Sequence, residues 1–237
     1  MSGKIKNIPF HVAVIPDGNR RWARARGLKP WEGHEEGAKN LERVLRTAFD
    51  LGIKHLTFWG SSVDNLKKRP FREKKALLDI YKRYFKKLID SEDIHKNRVK
   101  INVVGRWEEQ FPDSLKKIIK ECIERTKDYK DYFLNFLLAY SGDDDMVEAV
   151  KSVVKKCKSK AKVTAGVLKE NLMTRDLPPV DLLIRTGGEP HMSAGFMMWD
   201  IANAQLYFTE MKWPDFNGDE LQKAIKDFSL RGRRFGG

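Results

Sequence analysis

Short runs of apolar residues alternate along the chain with longer segments in which apolar residues recur every three or four positions. The short runs have the length of buried strands. They span residues 11–15, 55–59, 99–104, 133–139, 180–184 and 205–208. The longer segments place their apolar residues on one helical face, as Leu41, Val44 and Ala48 do. Strands that alternate with amphipathic helices predict a mostly parallel sheet covered by helices.

This pattern continues without an internal repeat or a low-complexity linker, so we predict a single domain over residues 1–237. The fold class is α/β, with a central, mostly parallel six-stranded sheet flanked by helices. An apolar content of 41% allows a large core. One stripe has two interpretations, as ordinary core, which the pattern favours, or as the wall of a hydrophobic tunnel. It consists of Leu77, Tyr81, Tyr84, Phe85 and Leu88.

The net charge of +13 predicts a surface that attracts polyanions or an anionic membrane leaflet. The basic residues are spread over the chain without a recognition-helix or base-stacking motif, so we expect no nucleic-acid partner. The sequence has neither a run of roughly 20 apolar residues nor a signal peptide. We therefore expect a cytoplasmic protein, with peripheral contact at the membrane surface as an open alternative. Cys122 and Cys157 have no metal-ligand spacing and are expected to be structural.

The first predicted strand runs into an acid, a glycine and two arginines in the segment IPDGNRRW. A helix N-terminus, a close backbone approach at Gly18 and the forked donors of Arg20 and Arg21 together describe a diphosphate site. Asp17 fits this site as a ligand of Mg²⁺, which takes oxygen ligands and neutralises a leaving diphosphate. An equally compatible interpretation has Asp17 as a helix cap and the arginines in solvent.

A second phosphate cradle is indicated where the strand at 180–184 runs into the segment RTGGE. The alternative interpretation of this segment is a tight turn that requires glycine. The segment 61–70 follows the second strand with hydroxyls, an amide and cations that can position a substrate and relay a proton. As a generic sequence it is an ordinary basic loop. His34 could donate to an anion, although a lone histidine is more often structural.

Five segments carry a resemblance to undecaprenyl diphosphate synthase and its cis-prenyltransferase relatives, from His11 to Gly237. They are HVAVIPDGNRRWA, GHEEGAKNL, DLLIRTGGEP, LYFTEMKWPDF and RGRRFGG, in the family's order and spacing. The resemblance implies a homodimeric α/β enzyme whose hydrophobic tunnel receives the growing isoprenoid tail. It implies that the enzyme condenses isopentenyl diphosphate with an allylic prenyl diphosphate to give a cis-polyprenyl diphosphate, with Mg²⁺ as cofactor.

The same resemblance assigns site residues by position. The expected catalytic residues are Asp17, Asn19, Ser62 and Asn65, of which Asn65 is the candidate proton acceptor. Those expected to bind the allylic substrate are Gly18, Asn19, Arg20, Arg21, Trp22, Lys29 and His34, with Ser62, Val63, Asp64, Leu66, Lys68 and Arg69 in the loop beside them. Those expected at the isopentenyl diphosphate are Arg185, His191 and Ser193, with Arg234 and Gly236 from a tail that reaches the partner's site. The expected metal ligands are Asp17 and Gln205.

The chain departs from the family at several of these positions. His191 replaces a second diphosphate arginine, and Gln205 replaces a glutamate that helps to bind magnesium. Pro30 replaces an arginine, and Leu66 replaces a tryptophan. These changes leave an atypical enzyme with a short or branched product, or a non-catalytic partner subunit, as alternatives. Retention of the magnesium-linked acid and the diphosphate arginines argues against a non-catalytic partner subunit.

Overall fold

The computed structural model describes residues 7–156 and 162–231, so Cys157, Arg234 and Gly236 lie outside the described part. Within it, six strands follow the apolar runs of the sequence. They are β1 (His11–Ile15), β2 (His55–Ser61), β3 (Val99–Val104), β4 (Tyr132–Leu138), β5 (Leu182–Arg185) and β6 (Gln205–Phe208). β5 begins two residues later than predicted because the amide of Val180 donates to the loop carbonyl of Asp200.

The helices in the described part of the chain connect the strands and cover the sheet. They are α1 (Asn19–Arg24), α2 (Pro30–Leu51), α3 (Val63–Lys68), α4 (Phe71–Ile89), α5 (Glu92–Lys96), α6 (Trp107–Gln110), α7 (Asp113–Thr126), α8 (Gly142–Lys156), α9 (Ala165–Asn171) and α10 (Gly218–Leu230). Within the described ranges, no helix is both long enough and apolar enough to span a bilayer.

The strands form one sheet in the order β3-β4-β2-β1-β5-β6, and every neighbouring pair is parallel. The predicted α/β fold class is therefore confirmed. From β1 the chain builds outward to β2 on one side and later to β5 on the other, which makes the end of β1 a switch point of the topology. Ile15 pairs with Arg185 there, so both predicted phosphate cradles leave the sheet side by side.

The sheet separates two apolar layers. The larger layer contains Phe58 and Phe136 of the sheet together with the inner faces of α2, α4 and α7. The smaller layer lies on the opposite face around Ile15, Trp59 and Phe196. A cavity lies in the larger layer, between the strands and the two long helices α2 and α4.

A hydrogen-bonded chain of polar side chains, buried at His11, Thr57 and Asn135, crosses the sheet on the smaller side. Asn102 donates to Asn135 over 2.8 Å, and Asn135 donates to the hydroxyl of Thr57 over 2.9 Å. The ring of His11 closes the chain, with Nε2 at 2.7 Å from Thr57 Oγ1 and Nδ1 at 2.8 Å from the carbonyl of Pro178. Since a carbonyl only accepts, Nδ1 carries the proton and Nε2 accepts from Thr57. The network therefore requires a neutral imidazole.

We predict that this imidazole makes the fold sensitive to acid. Burial lowers the pKa of His11 from 6.5 to about 4, so the unfolded chain takes up the proton first as the pH falls. The free energy of unfolding should fall by about 3 kcal/mol between about pH 6.5 and pH 4 from this residue. Burial also lowers the pKa of neighbouring His55 to about 4, so His11→Gln should lose only about half of the combined pH dependence. Urea unfolding of both proteins across this range tests the prediction, and identical slopes would refute it.

Candidate active site

A cavity of about 890 Å³ opens at the carboxyl edge of β1, β2 and β5 and continues beneath α2 and α4. Its lining follows α2 from His34 to Phe49, a length of roughly 22 Å at the helical rise. The mouth is polar, the middle is apolar, and the ion pairs Arg46–Asp93 and Lys87–Glu42 lie at the far end. Every member of the aromatic stripe predicted from the sequence lines it, namely Leu77, Tyr81, Tyr84, Phe85 and Leu88. The stripe is therefore the wall of a cavity as well as part of the core.

The carboxylate of Asp17 lies at the mouth between the two predicted cradles. Its Oδ1 accepts from the amide of Gly18 over 2.6 Å, and its Oδ2 accepts from Arg185 Nη2 over 3.0 Å. Arg21 Nη2 lies 3.4 Å from the same Oδ2. Helix α1 has Gly18 as its N-cap and receives no side-chain cap. The interpretation of Asp17 as a helix cap is therefore wrong, and its charge is directed toward two arginines.

The guanidinium of Arg185 is fixed beside this carboxylate. Its side chain is 4% exposed, and Nη1 donates to Ser193 Oγ over 2.8 Å and to the carbonyl of His191. Its Nε is buried without a hydrogen-bond partner among the described residues. Because an unpaired buried donor is costly, this N–H group is suited to donate to an anionic oxygen of a ligand.

The loops after β1 and β5 are packed directly against each other. Thr186 Oγ1 donates to the carbonyl of Asp17 over 2.8 Å. Gly187 has a φ of 91°, and a Cβ there would lie 2.8 Å from Arg21 Nη2 and 3.0 Å from the carbonyl carbon of Asp17. Glycine is required at this position for both its backbone conformation and its space. The two cradles that the sequence predicted separately form one continuous polar surface.

A second charged cluster stands on the helical side of the mouth. The buried Glu73 accepts from Arg69 Nη1 over 2.7 Å, and its Oε1 lies 3.3 Å from His34 Nε2 and 3.6 Å from Arg20 Nε. Burial lowers the pKa of His34, and the side-chain contact with Glu73 opposes that shift. Arg69 Nη1 also lies 2.7 Å from His34 Nε2, which accepts there because arginine only donates. The side-chain contact with His34, followed by the charge of Arg69, lowers the pKa of Glu73. Glu73 thus holds three predicted substrate-binding residues in one group.

Sequence reasoning missed Glu73, although an acid four residues after Arg69 in a basic segment was a signal. We predict that Glu73→Gln raises the KM for the allylic substrate by about tenfold and changes kcat by less than threefold, because it releases Arg69 and His34 without removing either. Steady-state kinetics with each substrate varied separately measures this split. The matched control is Glu124→Gln, which removes an exposed acid on α7 that pairs with Lys127. An equal loss in kcat, or no change in KM, would contradict the positioning role.

The predicted proton-relay residues lie near this cluster. Ser62 is buried and caps α3, because its Oγ accepts from the amide of Asn65 over 3.0 Å. The side chain of Asn65 is exposed and lines the cavity, and Asp64 pairs with Lys68 over 2.7 Å at the rim. Asn19 donates to the carbonyl of Pro16, and its Oδ1 is buried without a partner in the described part.

Several predicted site residues are not brought to the cavity in this chain. Leu66 is 1% exposed and packs in the core, and Val63 packs against the same core. Trp22 donates to Asp215 over 2.7 Å, and Lys29 is exposed before α2. In this structure their side chains are used in packing or face solvent, and direct contact with substrate stays a prediction for them. The ring of His191 is exposed, with Nε2 at 3.3 Å from Ser193 Oγ and Nδ1 at 3.8 Å from Glu189 Oε2, and its backbone carbonyl accepts from Arg185.

Gln205 requires a separate correction. It pairs with Leu182 at the amino end of β6, whereas Arg185 pairs with Phe208 at the carboxyl end. Three strand residues place Gln205 roughly 10 Å down the sheet from the level of Arg185. Within one chain, the structure therefore does not bring Gln205 to Asp17 as a second ligand of the same metal.

Comparisons with known proteins show the family of this chain. The sequence profile of the family described as undecaprenyl diphosphate synthase matches residues 15–236. A relative from Methanopyrus kandleri, named tritrans,polycis-undecaprenyl-diphosphate synthase (geranylgeranyl-diphosphate specific), is 41% identical over 97% of this chain and 85% of its own length. An isoprenyl transferase from Aquifex pyrophilus is 41% identical over 97% of this chain and 96% of its own.

A solved structure extends the likeness to three dimensions. The crystal structure of lavandulyl diphosphate synthase from Lavandula x intermedia, in complex with dimethylallyl diphosphate, matches with a TM-score of 0.89 at 29% identity. The match covers 97% of this chain and 99% of that chain. The predicted family and enzyme class are thereby confirmed. The chain belongs to the undecaprenyl diphosphate synthase family of cis-prenyltransferases.

Proposed function

We propose that this protein adds isopentenyl diphosphate units to an allylic prenyl diphosphate at the mouth of the cavity and stores the growing tail inside it. The observation that supports this most strongly is the position of Asp17. It joins Arg21 and Arg185 of two adjoining cradles at the mouth of a cavity that follows α2 for roughly 22 Å and has an apolar middle. Two diphosphates and one long hydrocarbon fit such a site.

The cationic side chains around the mouth supply the binding chemistry. Arginine matches diphosphate oxygens with a planar fork of donors, and the buried Nε atoms of Arg69 and Arg185 have no partner in the described residues. We assign Arg20, Arg69 and His34 to the allylic diphosphate, and Arg185 with Ser193 to isopentenyl diphosphate. Lys68 and Asp64 form the outer rim.

The donors present fit Mg²⁺ as a cofactor. Across the described ranges, no cluster of three histidine, cysteine or acidic side chains would hold a metal by itself. A half-exposed Asp17 suits Mg²⁺ because this ion is commonly held by one or two carboxylates together with substrate phosphates and water. When bound, the ion neutralises charge on the departing diphosphate.

The condensation needs little from the protein beyond positioning and charge. The terminal alkene carbon of isopentenyl diphosphate bonds to C1 of the allylic substrate while the C1–O bond to diphosphate breaks. Loss of a proton from the isopentenyl C2 then leaves the new double bond. Asn65 lines the cavity close to these carbons in this proposal, and the released diphosphate takes the proton because an amide oxygen is a weak base.

The length of the cavity favours a long hydrocarbon tail, and therefore a long product over a short or branched one. The relative from Methanopyrus kandleri is named as specific for geranylgeranyl diphosphate. We therefore propose geranylgeranyl diphosphate as the starter of this enzyme.

We also propose a homodimer in the cytoplasm that contacts a membrane peripherally. The edge strand β6 exposes Leu206 and Phe208, and α8 exposes Val150 and Val154. An exposed apolar edge strand is a surface that a second copy can cover. The tail residues Arg234 and Gly236, predicted to reach the partner's site, lie outside the described residues.

Incubation of the pure protein with Mg²⁺, labelled isopentenyl diphosphate and allylic diphosphates of five to twenty carbons tests the proposal. We expect elongation of every starter by repeated five-carbon steps, fastest with geranylgeranyl diphosphate, and no elongation after chelation of the metal. A single condensation that stops, or a branched product, would favour the atypical alternative.

A further inference from the structure

The start of α4 carries an exposed aromatic side chain that neither the core nor the cavity uses. Phe71, the first residue of this helix, is 79% exposed. Large apolar side chains with this exposure are unfavourable in water unless another apolar phase covers them.

Cations surround this ring. Lys67, Arg72 and Lys75 are all exposed, and Phe71 and Lys75 lie one helical turn apart on the same face. Glu73, two residues from the ring, is buried and paired with Arg69, so it does not neutralise the outer surface. The exposed Asp64 lies near Lys67 and pairs with Lys68 over 2.7 Å. We call the side chains of Lys67, Phe71, Arg72 and Lys75 the Phe71 patch. An exposed ring within a cationic surface is complementary to an anionic lipid leaflet.

The patch adjoins the cavity mouth. Arg69, two residues before Phe71, lines the cavity, as do Lys68 and Asn65 of the same segment. A surface that holds the mouth against a bilayer would let an apolar tail move between cavity and lipid without crossing water, which is costly in proportion to apolar area. The transfer of a tail between cavity and lipid rests on the proposed function, whereas lipid binding by the patch does not.

We propose that the Phe71 patch docks the protein on anionic bilayers, with the ring inserted among the acyl chains and the cations at the headgroups. Phe71 is the one large apolar side chain in residues 67–75, and a single exposed ring among cations fits a fluid lipid phase better than a folded protein partner.

Sedimentation with phosphatidylcholine vesicles, with and without phosphatidylglycerol, tests this docking in the absence of substrates. We expect the parent to bind only the anionic vesicles, and Phe71→Ser to weaken that binding roughly tenfold. An Arg72→Ser/Lys75→Ser variant should also lose tenfold or more at low salt and little at high salt. The matched controls are Leu230→Ser, which removes a side chain 76% exposed on α10, and Lys117→Ser, which removes an exposed cation on α7. Both should bind as the parent does.

Equal binding by the parent and Phe71→Ser, or equal binding to neutral vesicles, would overturn the proposal. Binding to duplex DNA that depends on the cations but not on Phe71, in a parent that ignores vesicles, would also overturn it. Turnover of a short allylic substrate without vesicles separates this inference from the enzymatic one. Phe71→Ser should match the parent there, and an inactive parent that binds vesicles would contradict the proposed reaction only.

Discussion

Replacement of Asp17 by alanine is expected to lower kcat by at least about a thousandfold. The carboxylate contacts Arg21 of the first cradle and Arg185 of the second at 3.4 and 3.0 Å. Its removal leaves two diphosphate-binding cations without the group that we assign to the metal. Single-turnover measurements with saturating substrates and Mg²⁺ give the effect on the chemical step directly.

The fold should tolerate this change because Arg185 keeps its bonds to Ser193 and to the carbonyl of His191. Asp17→Asn, which preserves shape and removes charge, should be nearly as inactive as Asp17→Ala. The matched control is Asp176→Ala, an acid 88% exposed on the surface, which should keep full activity. A folded Asp17→Asn protein with activity near that of the parent would exclude Asp17 from the reaction.

Replacement of Arg185 should have the second largest effect. Arg185→Lys keeps the charge but loses the fork that reaches Asp17 and Ser193 together, so kcat/KM for isopentenyl diphosphate should fall by about a hundredfold. Arg185→Leu leaves Asp17 without a buried partner and should lose at least tenfold more. Kinetics with isopentenyl diphosphate varied at a saturating allylic substrate measures both variants.

Arg175→Leu is the matched control, since Arg175 is 58% exposed and pairs only weakly with Asp176. It should behave as the parent does. An Arg185→Lys protein that loses affinity for the allylic substrate alone would reverse our assignment of the two cradles.

The sheet and the place of the site follow from the sequence for a physical reason. A buried parallel strand needs a run of apolar residues, so the polar side chains that bind ligands can follow only where that run ends. Asp17 lies two residues beyond one such run and Arg185 directly follows another, so their side-by-side arrangement required only that β1 and β5 be neighbours.

The helical side of the site was harder to foresee. Whether Glu73 is a solvated acid or a buried anchor depends on how α4 packs over α2, and apolar spacing does not determine that packing. Gln205 shows the opposite case. The predicted strand already began at this residue, so its place at the far end of the sheet was available from the sequence and conflicted with the ligand role that resemblance suggested.

The central claim is that this cavity joins isopentenyl diphosphate to an allylic diphosphate with a new cis double bond. Proton and carbon NMR of the product from geranylgeranyl diphosphate and carbon-labelled isopentenyl diphosphate tests it most directly. We predict cis geometry at every added unit in the product of the parent and no product from Asp17→Ala. Trans geometry at the added units, or the same cis product from Asp17→Ala, would contradict the account.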